Sequence, residues 1–492
     1  MKNSKSVMQY SYGELARRIE REIRQGHYPV GARLPSVREC ASGHGVSVST
    51  AIRCYRHLES QGLVEARSKS GIYVADWKSR RKPDVGDLAG ARKPSRAAPP
   101  QYEQLMSLPH RMTELYALTA QTLSLGLHLA HVAPQWYPCQ ALSDIGQRLL
   151  RKDPMAIGAY PTGTGLPAFK ASLINWLGAC GVDLGEHDLL VTHGSTEALN
   201  VALRSVAQPG DAVIVESPVY FGLLQMIDNL GLRAVEVPCV PGAGISLEAL
   251  EFALEHQHGV RAVVVSAVFQ NPLGCAMSDR DKRRLLKLAE QHDVAVIEDD
   301  AFGDLSPAVE RPQPIKAWDR NQRVIYCGSC SKSLAPAFRV GWVAGGRYHA
   351  RIETLKLSNS LVAPLFEQAV LAEWLNSGAH LLHLRRLRER LALNLPLALD
   401  AVARHFPAGT RVVSASGGWW LWLALPDHVD TLALLKRAVA QGIAFAPGVV
   451  FSSSTKFVNH LRINTGRPWG RDMERGFETL GALVQSAPVR VS

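Results

Sequence analysis

No segment of this sequence is both long and apolar enough to span a bilayer, which takes about 20 consecutive apolar residues. The opening residues, Met1 to Tyr10, are polar and lack the basic, apolar, small-residue order of a secretory leader. Eight scattered cysteines in 492 residues do not make a disulfide framework. The histidines show no metal-ligand spacing, and no internal repeat is visible. These absences predict a cytoplasmic protein without membrane partners. Net charge is also missing from most of the chain. Beyond residue 100 there are 36 Lys/Arg against 35 Asp/Glu.

The charge that exists is therefore concentrated. Residues 1–75 hold 12 Lys/Arg and 6 Asp/Glu, and residues 76–100 hold 7 and 3. A basic module on a neutral body is the electrostatic footprint of nucleic-acid binding, although a solvated basic surface has the same composition. The length predicts two or three domains. An apolar content of 46% and a charged content of 20% are those of an ordinary globular chain.

Residues 1–75 read as one compact unit. Ser11 to Glu14 and Ser36 to Glu39 are capping-box patterns that open two helices. Leu15, Ile19 and Ile23 form one apolar stripe. A third helix begins near Ser47 and places Ala51, Ile52, Tyr55 and Leu58 on one face. Two strand-like runs, Leu63 to Arg67 and Ile72 to Ala75, flank Ser68-Lys69-Ser70-Gly71 as a wing. Residues 76–103 are basic, rich in Pro, Gly and Ala, and read as a flexible linker. From residue 104, short Val/Ile runs such as Ala212–Glu216 and Val294–Ile297 alternate with helical stretches such as Arg280–His292. That alternation predicts a mostly parallel α/β sheet over 104–370. A smaller α+β subdomain is expected over 371–492, with a basic amphipathic helix from His383 to His405.

Two short helices joined by a tight turn fit a helix-turn-helix, whose second helix enters the major groove. Ser47, Ser49, Thr50 and Arg53 would then reach base edges or phosphates. Arg33, Ser36, Arg38, Arg67 and Lys69 are placed to meet phosphates. The strings Gly31-Ala32-Arg33-Leu34-Pro35-Ser36-Val37-Arg38-Glu39, Gly45-Val46-Ser47, Leu58-Glu59-Ser60-Gln61-Gly62-Leu63-Val64 and Ser70-Gly71-Ile72-Tyr73-Val74 resemble the GntR-type winged helix. That resemblance implies a double-stranded DNA operator as partner. The position after Ser47 often carries Arg in that family, and here it is Val48.

Three successive strands of the larger region end in polar groups suited to one cofactor. They supply Asn271, then Asp299, then Ser329 with Ser331 and Lys332, at spacings of 28 and 33 residues between Asn271, Asp299 and Lys332. Pyridoxal 5′-phosphate needs a lysine amine for attachment and an acid beside its ring nitrogen, tasks that suit Lys332 and Asp299. Asn271 can donate to the ring phenolate oxygen. The phosphate wants backbone N–H groups at a helix start, hydroxyls and an arginine. Ser195 and Thr196 in His193-Gly194-Ser195-Thr196, with Ser329, Ser331 and Arg339, meet that need. Tyr220 would stack on the ring. Taken singly, a lysine after a strand is commonly a surface residue and an aspartate commonly a cap. Asn271-Pro272 is a candidate cis peptide. Cys327 and Cys330 read as packing residues.

Ser-Cys-Ser-Lys332 followed by Arg339-Val340-Gly341-Trp342 resembles the aspartate-aminotransferase type of PLP fold, fold type I, from about residue 105 to 485. The resemblance implies a homodimer in which Tyr160 reaches the phosphate of the partner subunit. It also implies that Arg462 binds the carboxylate of a substrate or effector. It usually places Tyr three residues after the ring aspartate, where this chain has Phe302. A GntR-type winged helix fused to such a domain resembles the MocR-type regulators. The expected architecture is an N-terminal winged helix-turn-helix plus an α/β PLP-dependent transferase-like domain with a smaller α+β subdomain. The expected function is a transcriptional regulator that senses PLP or a small amino-acid or amine effector. An active aminotransferase carrying a DNA-binding head is the alternative.

Overall fold

The computed structural model describes residues 12–60, 63–67, 71–75, 108–120, 123–158, 160, 162–306, 311–414 and 419–488. The capping pattern at Ser11, the wing residue Lys69 and the segment 76–103 lie outside the described residues. The chain divides into two compact units, Met1–Tyr102 and Glu103–Ser492.

Among its described residues the first unit has three helices and a pair of antiparallel strands. In α1 (Tyr12–Arg24), Leu15, Ala16, Ile19 and Ile23 are buried, as a four-residue apolar repeat requires. The start of α2 (Val37–His44) is a complete capping box. Ser36 Oγ accepts from the Glu39 N–H at 3.3 Å, and Glu39 Oε2 accepts from the Ser36 N–H at 2.8 Å. Gly45, at φ 64°, ends that helix in the left-handed conformation that glycine adopts without strain. The third helix, α3 (Val48–Ser60), buries Ala51, Cys54, Tyr55 and Leu58. Ile52, expected on that face, is 38% exposed. Each helical residue turns about 100° from the last, so Ile52 stands off the stripe and Cys54 takes its place. Tyr55 Oη donates to the Pro35 carbonyl at 2.7 Å, fixing α3 against the turn before α2. The wing strands β1 (Val64–Arg67) and β2 (Gly71–Val74) pair antiparallel.

The second unit is built on an eight-stranded sheet. In chain order its early strands are β3 (Leu125–Gly126), β4 (Leu189–Thr192), β5 (Ala212–Ser217), β6 (Arg233–Val240), β7 (Gly244–Ile245) and β8 (Val260–Val265). There follow β9 (Ala295–Asp299), β10 (Val324–Ser329) and β11 (Gly341–Ala344). The sheet order is β4-β11-β10-β9-β8-β5-β6-β7, with β3 outside it. The neighbours from β10 through β6 are parallel, whereas β11 runs antiparallel to β10 and β4, and β7 antiparallel to β6. The residues of β4, β5 and β10 are buried throughout, which is why they read as continuous apolar runs.

A smaller layer follows. It contains β12 (Arg411–Ser414), β13 (Trp420–Ala424), β14 (Ile443–Ala444), β15 (Ala446–Pro447) and β16 (His460–Asn464). Four of these form an antiparallel sheet in the order β12-β13-β16-β15, while β14 pairs with β3. The predicted amphipathic helix runs from Ala379 to His405.

Candidate functional site

The carboxyl ends of β8, β9 and β10 open on one cavity of about 250 Å³. Parallel sheets place ligands there because successive connections leave the strand ends free to converge. Lys332, Asp299, Asn271, Tyr220, Ser195, Thr196, Ser331 and Arg339, all selected on sequence grounds, line this cavity. Ser329 stands one layer back. Its Oγ accepts from the Ser331 N–H at 3.1 Å and donates to Ser331 Oγ at 3.0 Å, so it supports the loop.

The reactive end has an unusual charge balance. Burial pushes the Asp299 carboxyl up to about 6, Asp300 adds to this, and the Ala301 N–H and Lys332 oppose it. Asp299 Oδ1 is buried without a hydrogen-bond partner. Lys332 is held down to about 8 by loss of hydration and by Arg462, against the pull of Asp299. Its Nζ donates to the Ala130 carbonyl at 2.8 Å and lies 5.4 Å from the centre of the Phe302 ring. Phe302 in turn packs edge-on against Trp419 and Trp420.

Arg462 is 1% exposed. Its Nη1 donates to Asn271 Oδ1 and its Nη2 to the His128 carbonyl, each at 2.5 Å. The Asn271 oxygen is therefore engaged, and its amide nitrogen is the group left to donate. The Asn271–Pro272 bond is cis, and so is Ser217–Pro218, which the sequence reading did not select. Gln270 joins the two turns: its Nε2 donates to the Pro218 carbonyl at 2.6 Å, and its Oε1 accepts from the Leu273 N–H at 3.0 Å.

Another part of the lining suits an anion. Gly194, at φ 78°, caps the helix Ser195–Val206, whose first N–H groups have no intrahelical acceptor. A Cβ at Gly194 would come within 2.6 Å of Arg339 Nη2, so the arginine lies directly over this turn. Arg339 Nη1 donates to Ser331 Oγ at 3.2 Å. Arg339 itself has φ 54°, a strained backbone for a residue with a side chain.

A pyridoxal phosphate group fits these residues. The orphaned Asp299 oxygen needs an N–H donor, the glycine-floored turn needs an anion, and Lys332 offers an amine in the same cavity. Tyr160 is 77% exposed and does not line this cavity of its own chain. Cys327 and Cys330 are buried in apolar clusters, with thiols pushed up by burial.

Some participants carried no sequence signal. Ala130 acts through its carbonyl, which any residue has. Arg111 is 4% exposed in the helix Leu108–Thr119, the first described element after the first unit in chain order. Its Nη1 donates to the Val449 and Ser454 carbonyls at 2.6 and 2.9 Å, and its Nη2 to the Ser453 carbonyl at 3.3 Å. The loop it holds carries Phe451, whose ring lies 5.3 Å from the Arg462 guanidinium. Ser452 and Ser453 hydroxyls also donate to Glu236 on β6.

In the first unit, Arg33 and Arg38 are exposed, and Arg33 lies across the open face of Gly71 in the wing. Ser47 Oγ accepts from the Thr50 N–H at 3.1 Å and lies 2.8 Å from Thr50 Oγ1. The Ser36 hydroxyl is likewise used in its capping box. Lys69 and the side chains of Ser49, Arg53 and Arg67 lie outside the described residues.

Among the described residues no helix is long and apolar enough to cross a membrane. Residues 11–74 match the model of the gntR family of bacterial regulatory proteins, and residues 137–471 that of class I and II aminotransferases. The chain is 33% identical to the uncharacterized HTH-type transcriptional regulator YjiR of Escherichia coli, over 97% of this chain and 99% of that one. It is 29% identical to the probable rhizopine catabolism regulatory protein MocR of Rhizobium meliloti, over 88% and 85%. Among solved structures it is similar to Pyrococcus horikoshii kynurenine aminotransferase in complex with PMP, with TM-score 0.70 and 29% identity over 76% of this chain and 93% of that one. It is also similar to the α-aminoadipate aminotransferase LysN of Thermus thermophilus, complexed with N-(5′-phosphopyridoxyl)-L-leucine, with TM-score 0.70 and 26% identity over 76% and 94%. The family and these complexes imply a cofactor of the pyridoxal phosphate type. YjiR, matched over nearly its whole length, is named an HTH-type transcriptional regulator and MocR a regulatory protein, which favours regulation over metabolism as the role of the fusion. This chain belongs to the MocR-type branch of the GntR family, a winged helix-turn-helix DNA-binding domain fused to a class I and II aminotransferase domain.

Proposed function

We propose that this regulator holds pyridoxal 5′-phosphate covalently on Lys332 and that an amino acid or amine entering the same cavity alters its hold on operator DNA. The observation that carries the reading is the unpartnered Asp299 oxygen in the cavity that also contains Lys332. When bound, the cofactor supplies a carbon that bonds covalently to amines and a ring that withdraws electrons from them. Asp299 would hold the ring nitrogen and its proton. Asn271 would donate through its amide nitrogen to the phenolate oxygen. Tyr220 would pack on the ring. Ser195, Thr196, Ser331 and Arg339 would hold the phosphate, with Ser329 bracing Ser331. With its affinity for protons reduced to about 8, the Lys332 amine has a neutral, attachable fraction at physiological pH. Arg462 would take an effector carboxylate.

The homodimer belongs to this reading. Met155, Ile157 and Tyr160 project apolar surface at 78%, 74% and 77% exposure. An apolar groove of about 660 Å³ along the helix Cys139–Lys152 includes Leu142, Phe338 and Phe366. One chain thus carries a knob and a groove of matching chemistry, as a self-complementary contact requires, and Tyr160 would complete the partner's phosphate site. The segment 76–103 would serve as the flexible basic linker, and the protein would act in the cytoplasm. Arg111 supports communication, because it ties the helix after that linker to the loop over Arg462.

The test is a visible spectrum of the purified full chain loaded with pyridoxal phosphate and titrated with amino acids and amines, with duplex-DNA binding followed in parallel. Lys332→Ala abolishes the absorbance of the lysine-bound cofactor and the ligand-dependent change in DNA binding. Unchanged regulation in that variant would overturn the reading.

A further inference from the structure

We propose that Val48 and Ile52 form an apolar reading head on α3 that recognises the 5-methyl groups of two thymines in the operator major groove. The proposal rests on the DNA-binding reading of the first unit and names what that unit reads. In a helix-turn-helix the second helix enters the major groove, its first turns facing the base edges. Val48 opens α3 and Ile52 lies one turn on, so the two share a face. They are 49% and 38% exposed, whereas Ala51, Cys54, Tyr55 and Leu58 of the same helix are buried. Val46, just before the helix, packs on the core from the turn. Val48 and Ile52 are therefore not core residues of this unit. They stand in water in the first turns of α3, the part that a helix-turn-helix lays into the groove.

Among the described side chains, two hydroxyls near this face are already committed. Ser47 Oγ and Thr50 are bound to each other at the helix start. Branched aliphatic side chains make no hydrogen bonds, so Val48 and Ile52 cannot read donors or acceptors on a base. The apolar feature of a base edge in the major groove is the thymine methyl group. Four helical residues rise about 6 Å, close to two base-pair steps of about 3.4 Å each, so one helix face can meet methyls one or two base pairs apart. The 12 Lys/Arg against 6 Asp/Glu of residues 1–75 provide the charge that draws such a face to a phosphate backbone.

The experiment begins by selecting duplexes for the wild-type full-length protein from a random-sequence pool. Each thymine of the selected site is then replaced singly by uracil, which removes only the methyl. Two positions in each half-site are expected to lose about fourfold in affinity each, the effect of uncovering one buried methyl-sized group. Val48→Ser removes the sensitivity at one position and Ile52→Ser at the other, and both sites are exposed, so the fold is retained. The uracil scan on the wild-type protein stands by itself if a variant misbehaves. The proposal is overturned if no thymine responds to loss of its methyl, or if both serine variants keep the wild-type response. Failure to select any duplex would remove the DNA-binding reading itself, a result distinct from a selected site that ignores uracil.

Discussion

Arg462 Nη1 donates to Asn271 Oδ1 at 2.5 Å, joining β16 of the small layer to the turn after β8 of the large sheet. The bond fixes which end of the asparagine amide faces the cavity. It also stabilises a guanidinium that burial has pressed down to about 10. An incoming carboxylate would find this cation already oriented.

Arg462→Met should therefore separate two ligand classes. Losing a buried charged partner costs about 2–5 kcal/mol, so affinity for amino acids should fall by at least about 30-fold. Amines without a carboxylate should bind within a few-fold of wild type. Titration of the bound cofactor's absorbance with matched amino acid and amine pairs measures both.

Asp299→Asn should make the cofactor-free protein more stable at pH 7.5 and leave it unable to load cofactor normally. The folded chain favours the protonated acid, whose affinity for protons is raised from the ordinary carboxyl value to about 6. Its contribution is complete below about pH 4 and fades as pH rises through 6. The difference is at most about 3 kcal/mol. Urea unfolding of cofactor-free protein at pH 4.5 and 7.5 should show the wild type losing stability toward high pH, and the asparagine variant losing less.

Arg111→Met should uncouple the cavity from DNA. The cofactor spectrum and its response to amines should remain, because Arg111 does not line the cavity. The amine-dependent change in operator affinity should shrink by about fivefold or more, the low end of ordinary coupling between sites. Operator binding measured with and without amine decides it.

In the DNA-binding unit, Ser36→Ala removes the hydroxyl side of the capping box and should cost about 1 kcal/mol. Heating the full chain should then abolish duplex binding a few degrees earlier. Arg38→Ala should leave that temperature unchanged and lower the slope of log affinity against log salt by about one, if Arg38 meets a phosphate.

Much of this was legible in the chain. Strands β5, β8, β9 and β10 announce themselves as Val/Ile runs because both faces of a parallel sheet are covered. Lys332, Asp299 and Asn271 are recognisable because each stands at or just beyond the end of such a strand, at spacings of 28 and 33 residues. What stayed hidden depends on tertiary geometry. Ile52 fits a loose apolar pattern, and only the helix phase shows that Cys54 faces inward instead. Ala130 contributes a carbonyl, and Arg111 finds three carbonyls more than 330 residues away, contacts that no local pattern encodes. Ser329 carried the right residue type, yet its hydroxyl turns to Ser331.

The unpartnered oxygen of Asp299 has a meaning beyond the cavity. A chain that keeps one oxygen of a buried carboxylate without a hydrogen bond until its cofactor arrives is more stable loaded than empty, since any group that binds only the folded form shifts the unfolding balance. Proteases act on the unfolded fraction. On the proposed reading, the cellular lifetime of this regulator would follow the supply of pyridoxal phosphate, so its abundance would carry a second, slower record of the signal that its spectrum reports at once.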